Sequence, residues 1–588
     1  MGDVNNQGDL LQRRGKSSDL VVMIHGFRGS PASFEDVRTA LGGVADLSDA
    51  DFFAPQMPFS ISSSVRPARV VAQIIKKIDQ LWQESQERDS PYERIYLLGH
   101  SMGGVFVRKV YVSAAGSHPD APLEADFIRA FESLGADPPT FERPWASKVE
   151  RVILIAALNR GWSISQHMGY MTMILWFVGS VIGRVRTVLT KDRRPLVFAL
   201  KRGSPFIAQL RIQWIRMRQR AAAPEGFFAG GAVTVQLLGS VDDIVSPLDS
   251  IDAVAGSDFY YIDVPYSSHP TIMQMAGEGV AKERRECLIQ AMTAAPEVLN
   301  ASTVPPVDES FHVRNKVDDV VFVMHGIRDN GYWTQKIARK VIRRGRDQSR
   351  NVVAETSSYG YFPMLPFIWP WTRRRKVEWL MDQYAEAVAR YPKAKFAYMG
   401  HSNGTYLLAS SLKDYSVVRF TYVVFVGSVV VTDFDWNSYI EQGRVLRVLN
   451  YTASTDRVVA YFPKLFQRPR IQQLGSAGHD GFTQAGDPGV LELGPIRGGH
   501  SAARREREWD AIAKFLLNGA DVGTDSAAKK RSGVVAFFSW VPLVVWVLIL
   551  AAIVGVFVLF FLIVDSTGWR ITFTIVYLFV LWKILTRV

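Results

Sequence analysis

The sequence predicts an α/β protein: two tandem domains, each a mainly parallel sheet with helices on both faces, followed by a C-terminal pair of membrane-spanning helices. Three observations carry this. Short β-branched apolar runs alternate with helix-like stretches through two segments of similar plan. Two different local patterns recur at offsets of 300 and 301 residues, and two matches at nearly one spacing argue for duplication. Finally, Gly533 to Val564 contains no charged residue, where about 20 apolar residues suffice to cross a hydrocarbon core of ~30 Å.

The elements follow in order. In the first segment Asp19 to Ile24, Val149 to Leu158, Val233 to Gly239 and Phe259 to Val264 read as buried strands, and Ala68 to Glu84 as an amphipathic helix. In the second, Asp319 to Met324, Arg419 to Val431 and Val445 to Thr452 are strands, and Lys376 to Arg390 is a helix. The domain plan is a polar tail over 1–18, a first domain over 19–295, a linker over 296–317 and a second domain over 318–518. A basic linker over 519–532 then leads to a helical hairpin over 533–588. The 588 residues are 48% hydrophobic and 21% charged, which excludes a disordered or collagen-like chain. One cysteine, Cys287, excludes an intrachain disulfide and fits a reducing compartment. No apolar h-region follows the N-terminal basic residues, so no secretory signal is expected. Lys529, Lys530 and Arg531 before the first span, with Lys583 and Arg587 at the end of the second, place both flanks in the cytoplasm by the positive-inside rule.

The repeated patterns carry chemistry. His25-Gly26-Phe27-Arg28 and His325-Gly326-Ile327-Arg328 each end a buried strand. Gly99-His100-Ser101-Met102-Gly103 and Gly400-His401-Ser402-Asn403-Gly404 each sit between a strand and a helix-like run. G-x-S-x-G there holds a serine in a strained strand-to-helix turn, its hydroxyl exposed beside a helix N-terminus that favours developing negative charge. Asp242 and Asp456, in D-x-[IV]-V, follow late strands; Asp243 is a rival to Asp242. His269 is the one histidine after Asp242 in the first segment, and the second offers His500 and His479.

On these motifs both segments resemble the α/β-hydrolase superfamily, and Gly-His-Ser-Met-Gly-Gly resembles lipases and esterases. The resemblance covers about 19–295 and 318–518. It implies a Ser-Asp-His triad in that chain order, here Ser101, Asp242, His269 and Ser402, Asp456, His500. His500 precedes an amphipathic helix, Ala502 to Leu517, as the family's base does, and is preferred to His479 on that ground. The resemblance also implies oxyanion holes from the amides of Phe27 with Met102, and of Ile327 with Asn403, while His25 and His325 shape the loop.

The two copies differ between serine and aspartate. The first route is about 87 residues longer than the second, an excess lying mainly at 159–230, where this superfamily inserts lids. Gly161 to Gly183 is uncharged, and Arg184 to Arg220 carries eleven Lys/Arg against one acidic residue. An apolar lid with a basic half facing anionic headgroups is expected. The second copy has Tyr359 to Lys376, with six aromatics, three prolines and four consecutive basic residues, an interfacial or site-covering loop. The net charge of +12 clusters beside apolar segments, which favours a membrane surface over nucleic acid. No metal-ligand cluster or phosphate-cradling loop is present, so no cofactor is expected. The expected protein is a membrane-anchored serine hydrolase of lipid or other apolar esters. Acyl transfer, amide or thioester hydrolysis, and a non-catalytic membrane scaffold are the alternatives.

Overall fold

The computed structural model describes residues 3–4, 8–14, 17–59, 63, 65–163, 196–223, 228–242, 244–245, 247–252, 259–303, 313–329, 331–467, 473–523, 530 and 532–587. The chain divides into two compact units. One comprises Met1–Val313, Met381–Arg390 and Tyr415–Val417, and the other Arg314–Leu380, Tyr391–Asp414 and Val418–Val588.

The first unit is built on an eight-stranded sheet. Its strands are β1 (Asp3–Val4), β2 (Leu10–Gln12), β3 (Asp19–Ile24), β4 (Asp51–Ala54), β5 (Arg94–His100), β6 (Val149–Ile155), β7 (Val233–Gly239) and β8 (Phe259–Val264). They lie in the order β1-β2-β4-β3-β5-β6-β7-β8. Parallel pairing runs from β4 to β8, and the short edge pair β1 and β2 joins antiparallel. Every residue of β3 is buried, as a strand covered on both faces requires. The helix Pro67–Glu87 starts with proline at its first turn, where a missing N–H costs nothing. It packs on the helices Met102–Ala114 and Ala125–Ser133, and its buried Val70, Val71, Ile74, Ile75, Ile78 and Leu81 recur at helical spacing. Each contributes about 1.5–3 kcal/mol of burial.

The second unit holds six strands: β9 (Asp319–Met324), β10 (Val352–Glu355), β11 (Lys395–His401), β12 (Phe420–Val426), β13 (Val445–Ala453) and β14 (Val490–Ile496). Their order is β10-β9-β11-β12-β13-β14, parallel throughout. This matches β4-β3-β5-β6-β7-β8 strand for strand.

Several expectations need correction. The strand expected over Arg419–Val431 stops at Val426, because Gly427 has φ +55°. Likewise β6 stops at Ile155, before Ala156 at φ +46°. The helix expected over Ala502–Leu517 begins only at Trp509; an extended Arg505 divides the preceding stretch into two single 3₁₀ turns. Tyr359–Lys376 is not one loop: Met364–Ile368 and Pro370–Arg390 are helices. The linker contains a helix, Pro296–Ser302.

Of the expected lid, residues 164–195 lie outside the described residues; they hold the apolar half, Gly161–Gly183, from its fourth residue on and the start of the basic half, Arg184–Arg220. The basic half is described from 196, and among the described residues some of its cations turn inward. In the helix Pro205–Ala221, Arg211 is buried and paired with buried Asp252 at 2.8 Å, and Arg218 donates to the carbonyls of Gly230 and Ala232. Arg373 in the second unit is also buried, donating to the Phe367 carbonyl at 2.6 Å. Cations at these places are spent on internal acceptors because a buried guanidinium must be paired.

The C-terminus forms helices Gly533–Ser539, Pro542–Ile563 and Thr567–Arg587. Among the described residues one helix, Pro542–Ile563, is long and apolar enough to cross a membrane. Within the pair, Phe560 stacks on Phe573 and the Tyr577 hydroxyl donates to the Ile553 carbonyl at 2.6 Å. The entry end is held by the second unit: Val535 is buried, and Trp546 Nε1 donates to the Tyr461 carbonyl at 3.0 Å.

Candidate active site

Strand β5 ends at a turn that only certain residues tolerate. Ser101 has φ +55° and ψ −125°, and the helix Met102–Ala114 starts at the next residue. A non-glycine residue held there costs about 1–3 kcal/mol and persists only where its surroundings fix it. They do so closely: a Cβ on Gly99 would lie 2.5 Å from Gly104 Cα, and one on Gly103 would lie 2.0 Å from the Ile24 carbonyl oxygen. The Ser101 amide is tied to the Ile155 carbonyl at 2.8 Å. The result is a serine on the carboxyl edge of the sheet, at the start of a helix.

Loops after β7 and β8 bring two more groups to that serine. Ser101 Oγ lies 2.8 Å from His269 Nε2, and His269 Nδ1 lies 2.9 Å from Asp242 Oδ2. The other Asp242 oxygen accepts from the amides of Ile244 and Val245, each at 2.9 Å. Burial raises the Asp242 carboxyl, but the hydrogen bond and charge of His269 and the two amides outweigh it, holding it below its ordinary range. It is therefore ionised, accepts from Nδ1–H and leaves Nε2 facing the serine as an acceptor. Asp243 lies outside the described residues.

The loop after β3 completes the arrangement. His25 Nδ1 donates to the Gly26 carbonyl at 2.9 Å, and its Nε2 accepts from the Met57 amide at 2.9 Å. Burial lowers its pKa, so the ring is neutral and serves as a brace. A Cβ on Gly26 would meet Ser101 Cβ at 2.8 Å, so glycine lets this backbone approach the serine. The amides of Phe27 and Met102 have no hydrogen-bond acceptor among the described residues.

The second unit repeats the frame with different side chains. Ser402 has φ +52°, its amide bonded to the Val426 carbonyl at 3.0 Å, and a Cβ on Gly404 would lie 2.6 Å from the Met324 carbonyl oxygen. His500 Nδ1 lies 2.9 Å from Asp456 Oδ2, while the other Asp456 oxygen accepts from the Val459 amide at 3.0 Å. Among the described residues Ser402 Oγ makes no hydrogen bond to His500. The rival His479 is bonded to Asp480 instead, at 2.8 Å, and makes no bond to Asp456. The Ile327 and Asn403 amides have no acceptor among the described residues.

Three further groups, not among the expected site residues, support the two serines. His100 Nε2 donates to the His269 carbonyl at 3.1 Å, and its ring lies 5.2 Å from that of His269. Burial, then the His269 charge, press its pKa down to about 4, so it is a neutral brace for the base loop. His401 lies likewise 4.9 Å from His500 ring to ring, driven well below the ordinary range by burial. The recurrence of His before both serines was the available signal. Tyr359 is the third: its hydroxyl donates to the His325 and Gly326 carbonyls, at 2.8 and 3.0 Å, and accepts from Asn403 Nδ2 at 3.1 Å.

Residues 21–283 match the alpha/beta hydrolase family. No curated protein sequence matches the chain. Solved structures with a similar fold include esterase B from Lactobacillus Rhamnosis HN001, at 14% identity and TM-score 0.33, covering 51% of this chain and 85% of that one. A thermophilic esterase from Thermogutta terrifontis is 15% identical with TM-score 0.30, covering 52% and 96%. A monoglyceride lipase from Saccharomyces cerevisiae is 13% identical with TM-score 0.30, covering 51% and 92%. The matched family segment contains Phe27, Ser101, Met102, Asp242 and His269, and it ends before the second unit.

Proposed function

We propose that the protein is a membrane-anchored serine hydrolase that cleaves carboxylic esters, lipid or otherwise apolar, through Ser101, His269 and Asp242. The observation that carries this reading is the unbroken relay of hydrogen bonds, 2.9 Å from Asp242 to His269 and 2.8 Å onward to Ser101. Ser101 Oγ attacks the ester carbonyl carbon while its proton passes to His269 Nε2, and Asp242 stabilises the imidazolium. The carbonyl π pair moves onto oxygen, which the amides of Phe27 and Met102 receive. Collapse breaks the bond to the alcohol oxygen, which takes the proton from His269 and departs. Water then repeats the sequence on the acyl-enzyme, releasing the acid and restoring Ser101.

Ser402, His500 and Asp456, with the amides of Ile327 and Asn403, form a second centre in this proposal. The missing Ser402–His500 bond favours a second reading for that unit alone: a hydrolase fold kept as a scaffold. Anchoring rests on Pro542–Ile563, and a cytoplasmic placement on the basic residues flanking the apolar run.

Labelling by a fluorophosphonate, which reacts only with an activated serine, tests the reading. Full-length protein is expected to carry the adduct on Ser101. Ser101→Ala protein is expected to lose it. An unlabelled wild type, or Ser101→Ala protein labelled in the first unit as before, overturns the assignment. Labelling of Ser402 in Ser101→Ala protein would reject the scaffold reading.

A further inference from the structure

Beside the second centre lies a cavity of about 430 Å³, of a size suited to a small ligand. Its walls include Tyr359, Phe362, Trp379 and two cations, Arg375 and Lys376. Neither cation has a carboxylate partner among the described residues. Arg375 is exposed to the opening, and Lys376 Nζ donates only to the Tyr359 carbonyl, at 2.7 Å, while lying 5.3 and 5.5 Å from the ring centroids of Tyr359 and Phe362. Burial, then the neighbouring Arg375 charge, push the Lys376 ammonium below its ordinary pKa. Adjacent like charges without a counterion are the opposite of the internal pairing seen for Arg211 and Asp252. They are relieved by an anion that meets a guanidinium fork and an ammonium together, which a phosphate oxygen set does well. The aromatic walls add an apolar surface that inorganic phosphate does not use.

The cavity is also tied to the proposed chemistry. Ser358, another wall residue, donates to His325 Nε2 at 2.8 Å, and Tyr359 clamps the His325 and Gly326 carbonyls beside Ser402. We propose that this cavity is a binding site for the phosphate group of an amphiphilic ester, either a phospholipid headgroup or a soluble alkyl phosphate, and sets the substrate class of the second centre. The substrate assignment rests on the hydrolase reading; the binding site does not.

Calorimetry on the full-length protein in neutral detergent tests it, with hexyl phosphate and dihexanoyl phosphatidic acid as probes. R375Q/K376Q is the variant, and R339Q/K393Q, which removes two exposed cations outside the cavity, is the charge-matched control. Binding of either probe should weaken about tenfold or more in R375Q/K376Q and less than about twofold in the control, as expected for loss of two charge-assisted hydrogen bonds. The probe that binds tighter identifies the source of the phosphate. Wild-type protein that binds neither probe, or equal weakening in both variants, overturns the site. In an S101A background the same cavity variant should raise KM for a phosphate-bearing ester about tenfold relative to a neutral ester of equal chain length. If S101A protein turns over neither ester, the second centre is not a hydrolase, and the calorimetry still decides the binding site.

Discussion

Replacing Asp242 by Asn tests the relay with little change in shape. The carboxylate accepts three hydrogen bonds, one from His269 Nδ1 at 2.9 Å and two from the Ile244 and Val245 amides. An asparagine keeps one oxygen, and the two amides demand it. Its NH₂ then faces His269 Nδ1, which must become an acceptor. The ring proton moves to Nε2, 2.8 Å from Ser101 Oγ, where a base is needed. A base in the wrong tautomer costs about 10⁴-fold in kcat, equivalent to about 5 kcal/mol at 1.36 kcal/mol per decade. Stability should change far less, since two of the three bonds survive: about 1 kcal/mol, the net worth of one hydrogen bond. The assay is ester turnover by D242N/S402A protein against S402A alone, with thermal unfolding in parallel. Turnover within about tenfold of S402A, in protein that unfolds alike, would refute the assignment of Asp242 as the residue that sets the tautomer.

Ser101 should react with fluorophosphonate faster than Ser402, since Ser101 alone is hydrogen-bonded to its histidine; equal or reversed rates, read by peptide mass spectrometry, would contradict this. Tyr359→Phe should lower kcat at the second centre about tenfold with KM little changed, because it removes the hydroxyl from the His325 and Gly326 carbonyls, leaving Gly326 held by His325 Nδ1 alone, without emptying the site, and a drop confined to KM would refute the clamp. Gly103→Ala should cost more than about 3 kcal/mol or abolish folding, since its Cβ would sit 2.0 Å from a backbone oxygen; normal expression and melting would refute the close packing. Asp242 and Asp480 both have depressed folded values, Asp480 because hydrogen bonds from His479, Lys464 and Ser476 outweigh burial. Their stabilisation is present above the ordinary carboxylate value of 3.8 and is lost as pH falls through the depressed folded values below it. D480N should flatten the loss of melting temperature on acidification in that window, and an unchanged slope would refute the linkage.

Much of the fold was legible because its signals are local. An apolar β-branched run ending in His-Gly is a strand and a tight turn wherever it occurs, and two of them marked two sheets. The boundaries erred where one residue's backbone decides: Gly427 and Ala156 at positive φ, or Arg505 extended in an otherwise helical pattern. Charge was misread more seriously. A run of arginines looks solvated in sequence, yet Arg211 and Arg373 fold inward, the first to a carboxylate 41 residues on, Asp252, and the second to the carbonyl of Phe367 in the neighbouring short helix. Separation along the chain hid Tyr359 and His100, whose partners are backbone carbonyls that any residue could supply. Ser101 and Asp242 were nameable because each sits in a short motif, and His269 because it is the one histidine after Asp242 in its segment; the contrast between Ser101 and Ser402 was not, since it depends on ångström differences in placement.

The apolar helix Pro542–Ile563 does not hang free from the second unit. Its Trp546 is bonded to Tyr461 and packs on Phe462, at the end of the short helix Arg457–Tyr461 that Asp456 caps. The contact gives it the form of a lever: an apolar rod resting on the segment that follows Asp456, the partner of His500. In the membrane-anchored reading proposed above, a change in the rod's tilt, whether from a thicker bilayer or from a detergent that lets it lean, would load the segment that starts at Asp456. On that reading, extraction into detergent would be a mechanical intervention on the second centre as well as a change of solvent, because its acid caps the helix on which the rod rests.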